Sequence, residues 1–266
     1  ELSGGEVLSA PAPHAWPESG FFALGPPDGG ARMLVKAGTP GPDYQLGHAH
    51  CDMLSYELTV GKRRVIVDSG VHGYAGSDLR DYCRSTRAHN TVSVNGMEQL
   101  ECWADFRVGR RYTPRLHYWG PNDDAQVLHA GHNGFAPFEH DRKIIFSREG
   151  YWLFADRISG PGSLTAESCI HFHPSVELED TREGWLAHFE GGPLRIEVYG
   201  NPEVKAVRGA SGQGWYCPRF GEAMPCWTLI LRAFSIRQVH LGYALFPPRS
   251  STAPRAAVEA FLMFPS

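Results

Sequence analysis

The sequence has no apolar run that approaches the roughly 20 residues needed to cross a membrane as a helix. It also has no basic excess, since 25 Lys and Arg stand against 29 Asp and Glu and give a net charge of −4. That balance supplies no basic footprint for a nucleic-acid backbone. We therefore expect a protein that has neither a membrane nor nucleic acid as a partner.

The six cysteines include no CxxC pair, and their even number permits disulfides without requiring them. Cys217 and Cys226 could bridge a hairpin, whereas Cys51 and Cys83 are more simply small buried thiols. The chain opens at Glu1 without an initiator Met, a charged n-region or an apolar h-region. We expect a signal peptide to be absent or already removed, or the chain to be a fragment of a longer protein.

Long helical periods are also missing, because 30 Gly and 20 Pro break the sequence into short strand-like runs. Residues 54–60 alternate apolar and polar side chains, Gly61-Lys62 predicts a turn, and 64–68 predict a return strand buried on both faces. Further strands are predicted at 31–37, 90–94, 126–130, 142–147, 151–156, 168–172, 194–199, 227–233 and 239–246.

These patterns predict one all-β domain over residues 1–266, with predominantly antiparallel strands. Asn95-Gly96 and Glu149-Gly150 predict hairpin turns. Residues 77–85 are the best candidate for a short helix or an ordered loop. The Pro- and Gly-rich stretches predict irregular structure over 11–28, within a lead-in of residues 1–28, and over 248–254.

Most of the interpretable chemistry lies between residues 47 and 90. Three imidazoles and a carboxylate, from His48, His50, His89 and Asp68, are the raw material of a divalent-metal site and suit Zn²⁺. In perfect hairpin register Asp68 would face about Ser55, which leaves His50 about 16 Å away. A shared ion therefore requires residues 48–52 to curl back over the sheet as a loop or bulge.

Each of these residues also has an ordinary structural interpretation. Two histidines at i, i+2 are often an exposed polar face, an Asp at a strand end is often a turn cap, and His89 could bond a backbone carbonyl. The remaining histidines and the tryptophans support no site. We interpret His171 and His173 as structural residues and the tryptophans as packing residues. Three further histidines lie in a Gly-rich segment and are expected to face solvent. Those three are His129, His132 and His140.

The run from Gly47 to Arg110 resembles the C-terminal β-sandwich domain of the heparinase II/III-like polysaccharide lyases. The matching words are Gly47-His48-Ala49-His50, Leu54-Ser55-Tyr56-Glu57-Leu58, Val67-Asp68-Ser69-Gly70, Tyr74, Arg84-Ser85-Thr86, His89-Asn90-Thr91-Val92, Asn95-Gly96 and Phe106-Arg107. The order and spacing of these words carry the resemblance over about 65 residues.

The resemblance implies that the domain is a large antiparallel β-sandwich, and it implies β-elimination of glycans that contain uronic acid. In that reaction a base removes the C5 proton, the uronate carboxylate is neutralised, and an acid protonates the departing O4. It implies His48 as a catalytic residue of the cleft, and His50, Asp68 and His89 as ligands of a structural Zn²⁺. It further implies an acidic polysaccharide substrate and a secreted or periplasmic location.

The chain departs from the family pattern in one large respect. Such lyases carry an N-terminal α/α-toroid that supplies further catalytic residues, and nothing in this sequence predicts paired helices on that scale. We expect that helical domain as a partner within the same protein, and we expect the isolated 266-residue chain to be inactive. Tyr74, Arg80 and Arg84 are candidate substrate-binding residues, since Arg pairs with carboxylates in bidentate fashion.

Two other functions remain open from the sequence. A non-catalytic sandwich could bind glycans or organise a partner domain, but such a module would not need His48 beside an intact set of metal ligands. A free-standing cupin-like metal enzyme would need further His or Glu ligands that the strand motifs lack.

Overall fold

Two antiparallel sheets form the protein. The computed structural model describes residues 13–42, 44–122, 125–210, 212–248 and 250, and it is 57% strand and 6% helix. The small sheet has the order β1-β2-β3-β4-β5. Its strands are β1 (His14–Trp16), β2 (Phe21–Leu24), β3 (Ala31–Lys36), β4 (Tyr56–Val60) and β5 (Arg63–Ile66).

The large sheet has ten strands. They are β6 (Val92–Val94), β9 (Arg115–Asn122), β10 (Ala125–Phe135), β11 (Phe138–Ser147), β12 (Trp152–His171), β13 (Glu177–Thr181), β14 (Gly184–Phe189), β15 (Gly192–Tyr199), β16 (Glu203–Arg208) and β19 (Trp227–Phe246). Two ribbons complete the set, β7 (Cys102–Trp103) with β8 (Arg107–Val108), and β17 (Trp215–Tyr216) with β18 (Met224–Pro225).

Two 20-residue strands, β12 and β19, are the centre of the large sheet. They pair along nearly their whole length, with one register shift between Ser159 and Ser163. One half of this pair is flanked by β11 and β15, and the other half by β6 and β16. The separate strands predicted at 151–156 and 168–172, and at 227–233 and 239–246, are therefore halves of single strands. In β12 the gap between the two predicted strands contains Gly160-Pro161-Gly162, and there the structure only shifts register.

The inner faces of the two sheets share one core. Buried side chains of the small sheet, such as Met33, Tyr56 and Leu58, belong to the same apolar cluster as Phe154, Leu231 and Tyr243 of the large sheet. Packing of two sheets through their apolar faces is the defining feature of a sandwich. The predicted all-β antiparallel sandwich is therefore confirmed.

Several local predictions are also confirmed. Asn95 and Gly96 both have positive φ, as the predicted turn requires, and Gly150 has a φ of 89° between β11 and β12. The 77–85 segment contains a short helix, α1 (Asp78–Arg84), which the Ser77 side chain caps. All six cysteines lie within the described residues and are free thiols, so Cys217 and Cys226 form no bridge.

Two predictions are wrong. The 11–28 stretch is not irregular throughout, because β1 and β2 form there; Phe22 and Leu24 are buried in the core, and the Pro and Gly residues only bound these strands. Residues 1–12 lie outside the described residues, as does most of the 248–254 stretch. None of the described helices is long and apolar enough to cross a membrane.

The second error concerns the histidines that were predicted to face solvent. His132 is 3% exposed and His140 is fully buried. His140 and Arg142 share the inward face of β11 with Ile144 and Phe146. The alternation of inward and outward side chains along the strand therefore indicated that His140 is buried, but the high Gly content of the segment obscured that pattern. His129 is half-buried on the outward face of β10.

A buried ion pair lies between the sheets. The Asp156 carboxylate accepts hydrogen bonds from Arg142 Nε at 2.7 Å and Nη2 at 2.9 Å, and His140 Nε2 lies 2.8 Å from the same carboxylate. Burial alone would raise the pKa of Asp156, but Arg142 and the hydrogen bonds lower it to about 2. Arg142 Nη1 also donates to the carbonyl oxygens of Leu54 and Asn90. The pair therefore connects the large sheet to loops on the small-sheet side.

We predict that Asp156→Asn lowers the free energy of unfolding by about 3 to 5 kcal/mol, because Arg142 is left buried without its anionic partner. Urea denaturation measures the change. Asp180→Asn, on the exposed side of β13, is the matched control and should stay within about 0.5 kcal/mol of wild type.

The contribution of Asp156 should depend on pH in a defined direction. A carboxyl whose pKa is lowered on folding stabilises the native state above its unfolded pKa of about 3.9, and that contribution disappears as the pH falls toward its folded value of about 2. The stability difference between wild type and Asp156→Asn should therefore shrink over this window. A difference that stays constant from pH 7 to pH 2 would contradict the assignment.

Candidate functional site

Three loop segments meet beside the small sheet. The first contains a one-turn 3-10 helix, Leu46–His48, followed by the loop that carries His50. The second follows β5 and carries Asp68, and the third follows a second 3-10 turn, Thr86–Ala88, and carries His89. Residues 49–53 belong to no strand, and the chain rejoins Lys36 of β3 through backbone hydrogen bonds at Leu54, which has a positive φ of 61°. This is the departure that the register argument required.

Asn90 ties these segments to the strands. Its side-chain amide donates to the carbonyl oxygens of Tyr56 at 2.7 Å and Val67 at 2.9 Å, and its side-chain oxygen accepts from the His171 backbone N–H at 2.7 Å. Asn90 is fully buried, so each of these bonds satisfies a backbone group that water cannot reach. The His171 side chain is buried as well and lies 3.1 Å from polar atoms of Asn90 and Gln213, which agrees with the structural interpretation of this histidine.

Asp68 and His89 are in direct contact. Asp68 Oδ2 lies 2.6 Å from His89 Nδ1, and Asp68 Oδ1 accepts the Gly70 N–H at 2.9 Å. Burial opposes the charged form of both groups, but the interaction with His89 lowers the pKa of Asp68 below its usual range, and Asp68 raises the pKa of His89. The pair is therefore a charge-assisted hydrogen bond.

His50 lies beside this pair, with its ring centroid 5.4 Å from that of His89. Burial, together with the neighbouring His89, lowers the pKa of His50 to about 4. His50 is therefore neutral at neutral pH and keeps a lone pair available for a metal ion. Asp52, another charged neighbour of His50, forms an ion pair with Lys36 at 2.7 Å.

The residues fit zinc in their chemistry, since two imidazoles and a carboxylate are a common zinc donor set. His89 Nε2 is buried and makes no hydrogen bond to the described residues, and a buried ring nitrogen of that kind is one that an ion or a water satisfies. In this structure, however, the ligand atoms of His50, Asp68 and His89 do not all lie within 4.8 Å of one another. Asp68 contacts His89 at Nδ1 and not at Nε2, so an ion shared by these two residues would lie on the Nδ1 side of the ring, and His50 would have to turn toward it.

His48 differs from His50 and His89 because it is exposed. Its ring lies 4.9 Å from the ring of Tyr74, which in turn lies 5.8 Å from Phe106 and 4.7 Å from Phe220. Phe106 and Phe220 are 50% and 60% exposed. His48 thus stands at the edge of an exposed aromatic surface formed by Tyr74, Phe106 and Phe220. Sequence patterns did not reveal Phe220, because it is far from the motif along the chain.

The two arginines that were candidates for substrate binding lie below this surface. Arg80 is fully buried; its Nη2 donates to the carbonyl oxygens of Gly47 and Asp105, and its guanidinium lies 5.5 Å from the Tyr74 ring. Arg84 is 4% exposed and donates to backbone carbonyl oxygens of two chain segments, one before α1 and one after it. Those acceptors are Ala49, Ala104, Asp105 and Arg107. These contacts support a role in holding the loops, and they lend no support to direct binding of substrate by Arg84.

We predict that Arg84→Ala lowers the free energy of unfolding by about 3 kcal/mol, because several buried carbonyls lose a charged donor. Arg84→Lys should recover little, since one ammonium group cannot span four acceptors. Urea denaturation and amide hydrogen exchange across residues 104–107 measure the effect, with the exposed Arg219→Ala as control. Unchanged stability with weakened glycan binding would instead favour a direct substrate role.

Comparison with known proteins gives one extensive family match. The sequence profile described as "Heparinase II/III-like, C-terminal" matches residues 9–239. A heparin-sulfate lyase of Pedobacter heparinus is 27% identical over 132 residues, which is 48% of this chain and 18% of the relative.

Solved structures show the same fold. A heparinase III matches with a TM-score of 0.73 and 22% identity, over 90% of this chain and 36% of its own length. The crystal structure of the heparan sulfate lyase of Pedobacter heparinus matches with a TM-score of 0.70 and 18% identity, over 89% of this chain and 36% of that chain. The chain thus spans roughly a third or less of these proteins. Because the profile covers most of its residues, the chain belongs to the heparinase II/III-like C-terminal domain family.

Proposed function

We propose that this domain forms one wall of a polysaccharide lyase cleft and contributes His48 to β-elimination of a glycan that contains uronic acid. The observation that carries the proposal is the contrast among the motif histidines: His48 is exposed, whereas His50 and His89 are buried. A structural set of histidines would not need the exposed member. A catalytic imidazole must reach its substrate, and His48 can do so.

The neighbours of His48 suit a sugar polymer. Tyr74, Phe106 and Phe220 offer ring faces and edges on which pyranose rings can pack, and the exposed Arg107 lies over the Trp103 ring at 6.0 Å. A guanidinium held beside an exposed aromatic ring can pair with a uronate carboxylate or a sulfate. These groups favour an acidic glycan over a neutral one.

The chemistry assigned to His48 is proton transfer at the reacting sugar. Its imidazole would take the C5 proton or stabilise the charge that develops when that proton leaves, while the C4–O4 bond breaks and O4 gains a proton. A second acid or base is needed, and the proposal assigns it to the helical domain of the same protein. The related lyases are roughly three to six times as long as the part of them that this chain matches, which is consistent with such a partner.

The proposal includes a structural zinc ion held by His50, Asp68 and His89. Bound zinc would cross-link the three loop segments and thereby fix the turn that presents His48. The donor chemistry, the neutral state of His50 and the contact of Asp68 with His89 Nδ1 support it. We also propose a secreted or periplasmic location, because polysaccharide substrates of this kind lie outside the cytoplasm.

A second function has its own supporting observation. The aromatic surface of Tyr74, Phe106 and Phe220 would equally serve a non-catalytic module that binds glycans or contacts the helical domain. The two functions differ in what they require of His48. Binding would depend on the rings, whereas catalysis depends on the imidazole.

In the full-length protein, we predict that His48→Ala lowers kcat by about 100-fold or more while fold and zinc content stay unchanged, because a positioned acid or base contributes 10²–10⁴-fold. Formation of unsaturated uronate products, followed by ultraviolet absorbance, measures turnover. The exposed His188→Ala on β14 is the matched control. Full activity of His48→Ala, on a substrate the parent clearly cleaves, would remove His48 from the mechanism and favour the binding module.

For the metal, we predict that His50→Ala and Asp68→Asn each remove one equivalent of zinc from the purified protein, measured by elemental analysis, while His188→Ala retains it. Chelation should lower the melting temperature of wild type, because an ion that binds only the native state stabilises it. The same zinc content in wild type and in both variants would contradict this ligand set.

A further inference from the structure

A second group of potential metal ligands lies on the outward face of the large sheet. It consists of His117 on β9, His129 on β10 and Asp141 on β11, and one ligand atom from each lies within 4.8 Å of the others. Asp141 Oδ1 is 3.2 Å from His117 Nε2 and 4.0 Å from His129 Nε2. The two imidazole centroids are 4.6 Å apart. Three adjacent strands thus direct two nitrogens and one oxygen at a common point.

The backbone is arranged to permit this convergence. His129 pairs with Tyr118 and Ala130 with Leu116, so His117 is the extra residue of a β-bulge in β9. A bulge redirects the side chain of the unpaired residue, and bulges are common beside functional sites. Without the bulge His117 would alternate with its neighbours along the strand instead of turning toward Asp141.

Gly131 leaves open the space that the group occupies. It lies on β10 directly opposite Asp141, and a Cβ added there would stand 2.3 Å from Asp141 Oδ1 and 3.1 Å from His117 Nε2. Contacts below 3.0 Å are not tolerated, so any other residue would displace the carboxylate from the imidazoles. Glycine weakens a strand interior, and its presence often marks a close approach of other groups.

The carboxylate of Asp141 is already oriented. Arg157, its cross-strand neighbour on β12, donates to Asp141 Oδ2 at 2.9 Å, which leaves Oδ1 to face the two imidazoles. Ligating carboxylates and imidazoles are commonly fixed by such outer contacts. Burial, together with the nearby His117, lowers the pKa of His129.

We propose that His117, His129 and Asp141 bind a divalent cation of the zinc class, with solvent in the fourth position. Two imidazoles and one carboxylate match the preferences of Zn²⁺ and its neighbours in the transition series, and disfavour Mg²⁺ and Ca²⁺, which take all-oxygen sites. The half-exposed His117 leaves the site open to solvent. The ion would cross-link the edge strand β9 to β10 and β11.

This cross-link would act at an unpaired sheet edge, because β9 is the last strand on its side of the large sheet. An edge strand presents unpaired backbone groups that can pair with another chain. An ion that fixes the edge would stabilise the native state and oppose such pairing. The site is independent of the zinc ion proposed near His48, because Asp141 and Arg142 face opposite sides of β11 and only Arg142 contacts the loops of that site.

The test is titration of the metal-free full chain with Zn²⁺ alone and with Co²⁺ alone, followed by calorimetry and by the visible absorption of four-coordinate Co²⁺. The His50→Ala background removes the other proposed site, so the two proposals can fail separately. In that background one equivalent should bind, and saturating Zn²⁺ should raise the melting temperature by about 3 °C or more.

Three variants should lose that equivalent, and one control should keep it. His117→Ala and His129→Ala remove a ligand, and Gly131→Ala fills the site while leaving all three ligands in the sequence. Affinity should fall at least 10-fold in each, whereas His188→Ala retains it. Circular dichroism establishes that each variant is folded, and if Gly131→Ala is not, His117→Gln replaces it. Equal binding by the ligand variants and the control, or no binding in the His50→Ala background, would overturn the proposal.

Discussion

The buried ion pair of Arg142 and Asp156 is the interaction on which the arrangement of the site depends. Three of its features act together: the carboxylate is fully buried, the guanidinium bonds it through two nitrogens, and the remaining donor of Arg142 reaches the carbonyl oxygens of Leu54 and Asn90. An isolated buried charge would be costly, so the pair is stable only when each partner is in place. It thereby fixes the residues that precede β4 and follow His89 relative to the large sheet.

From that anchor, polar contacts extend to the surface. Asn90 holds the ends of β4 and β5 together, Asp68 orients His89, and Arg84 joins the loop at Ala49 to residues 104–107. The order of burial follows the same path, from the fully buried Asp156 and His89, through His50, to the exposed His48. Such support beneath an exposed imidazole suits the proton transfer that we propose for His48, because small displacements of a catalytic group reduce its rate.

The sequence predicted the fold class because that class depends on local patterns, and the motifs between residues 47 and 90 singled out the candidate site residues. The alternation in 54–60 and the Asn95-Gly96 turn reflect short-range rules, and the structure confirms them. The strand predicted at 64–68 ends at Ile66, and its buried part is limited to residues 65–67 because Arg64 is exposed. The union of residues 152–171 into one strand was missed, since Gly and Pro also occur where a long strand merely shifts register. The burial of His140 was missed because composition was weighed above strand parity. Phe220 and the bulge at His117 depend on tertiary placement that no local pattern contains.

The most direct test of the central claim is a crystal structure of the full-length protein, inactivated at His48 by substitution with Gln, in complex with an acidic oligosaccharide. The account predicts a uronate residue packed against Tyr74, with its C5 or O4 within about 3 Å of the side chain at position 48, since proton transfer needs that reach. A glycan bound at another face, with position 48 open to solvent, would contradict it.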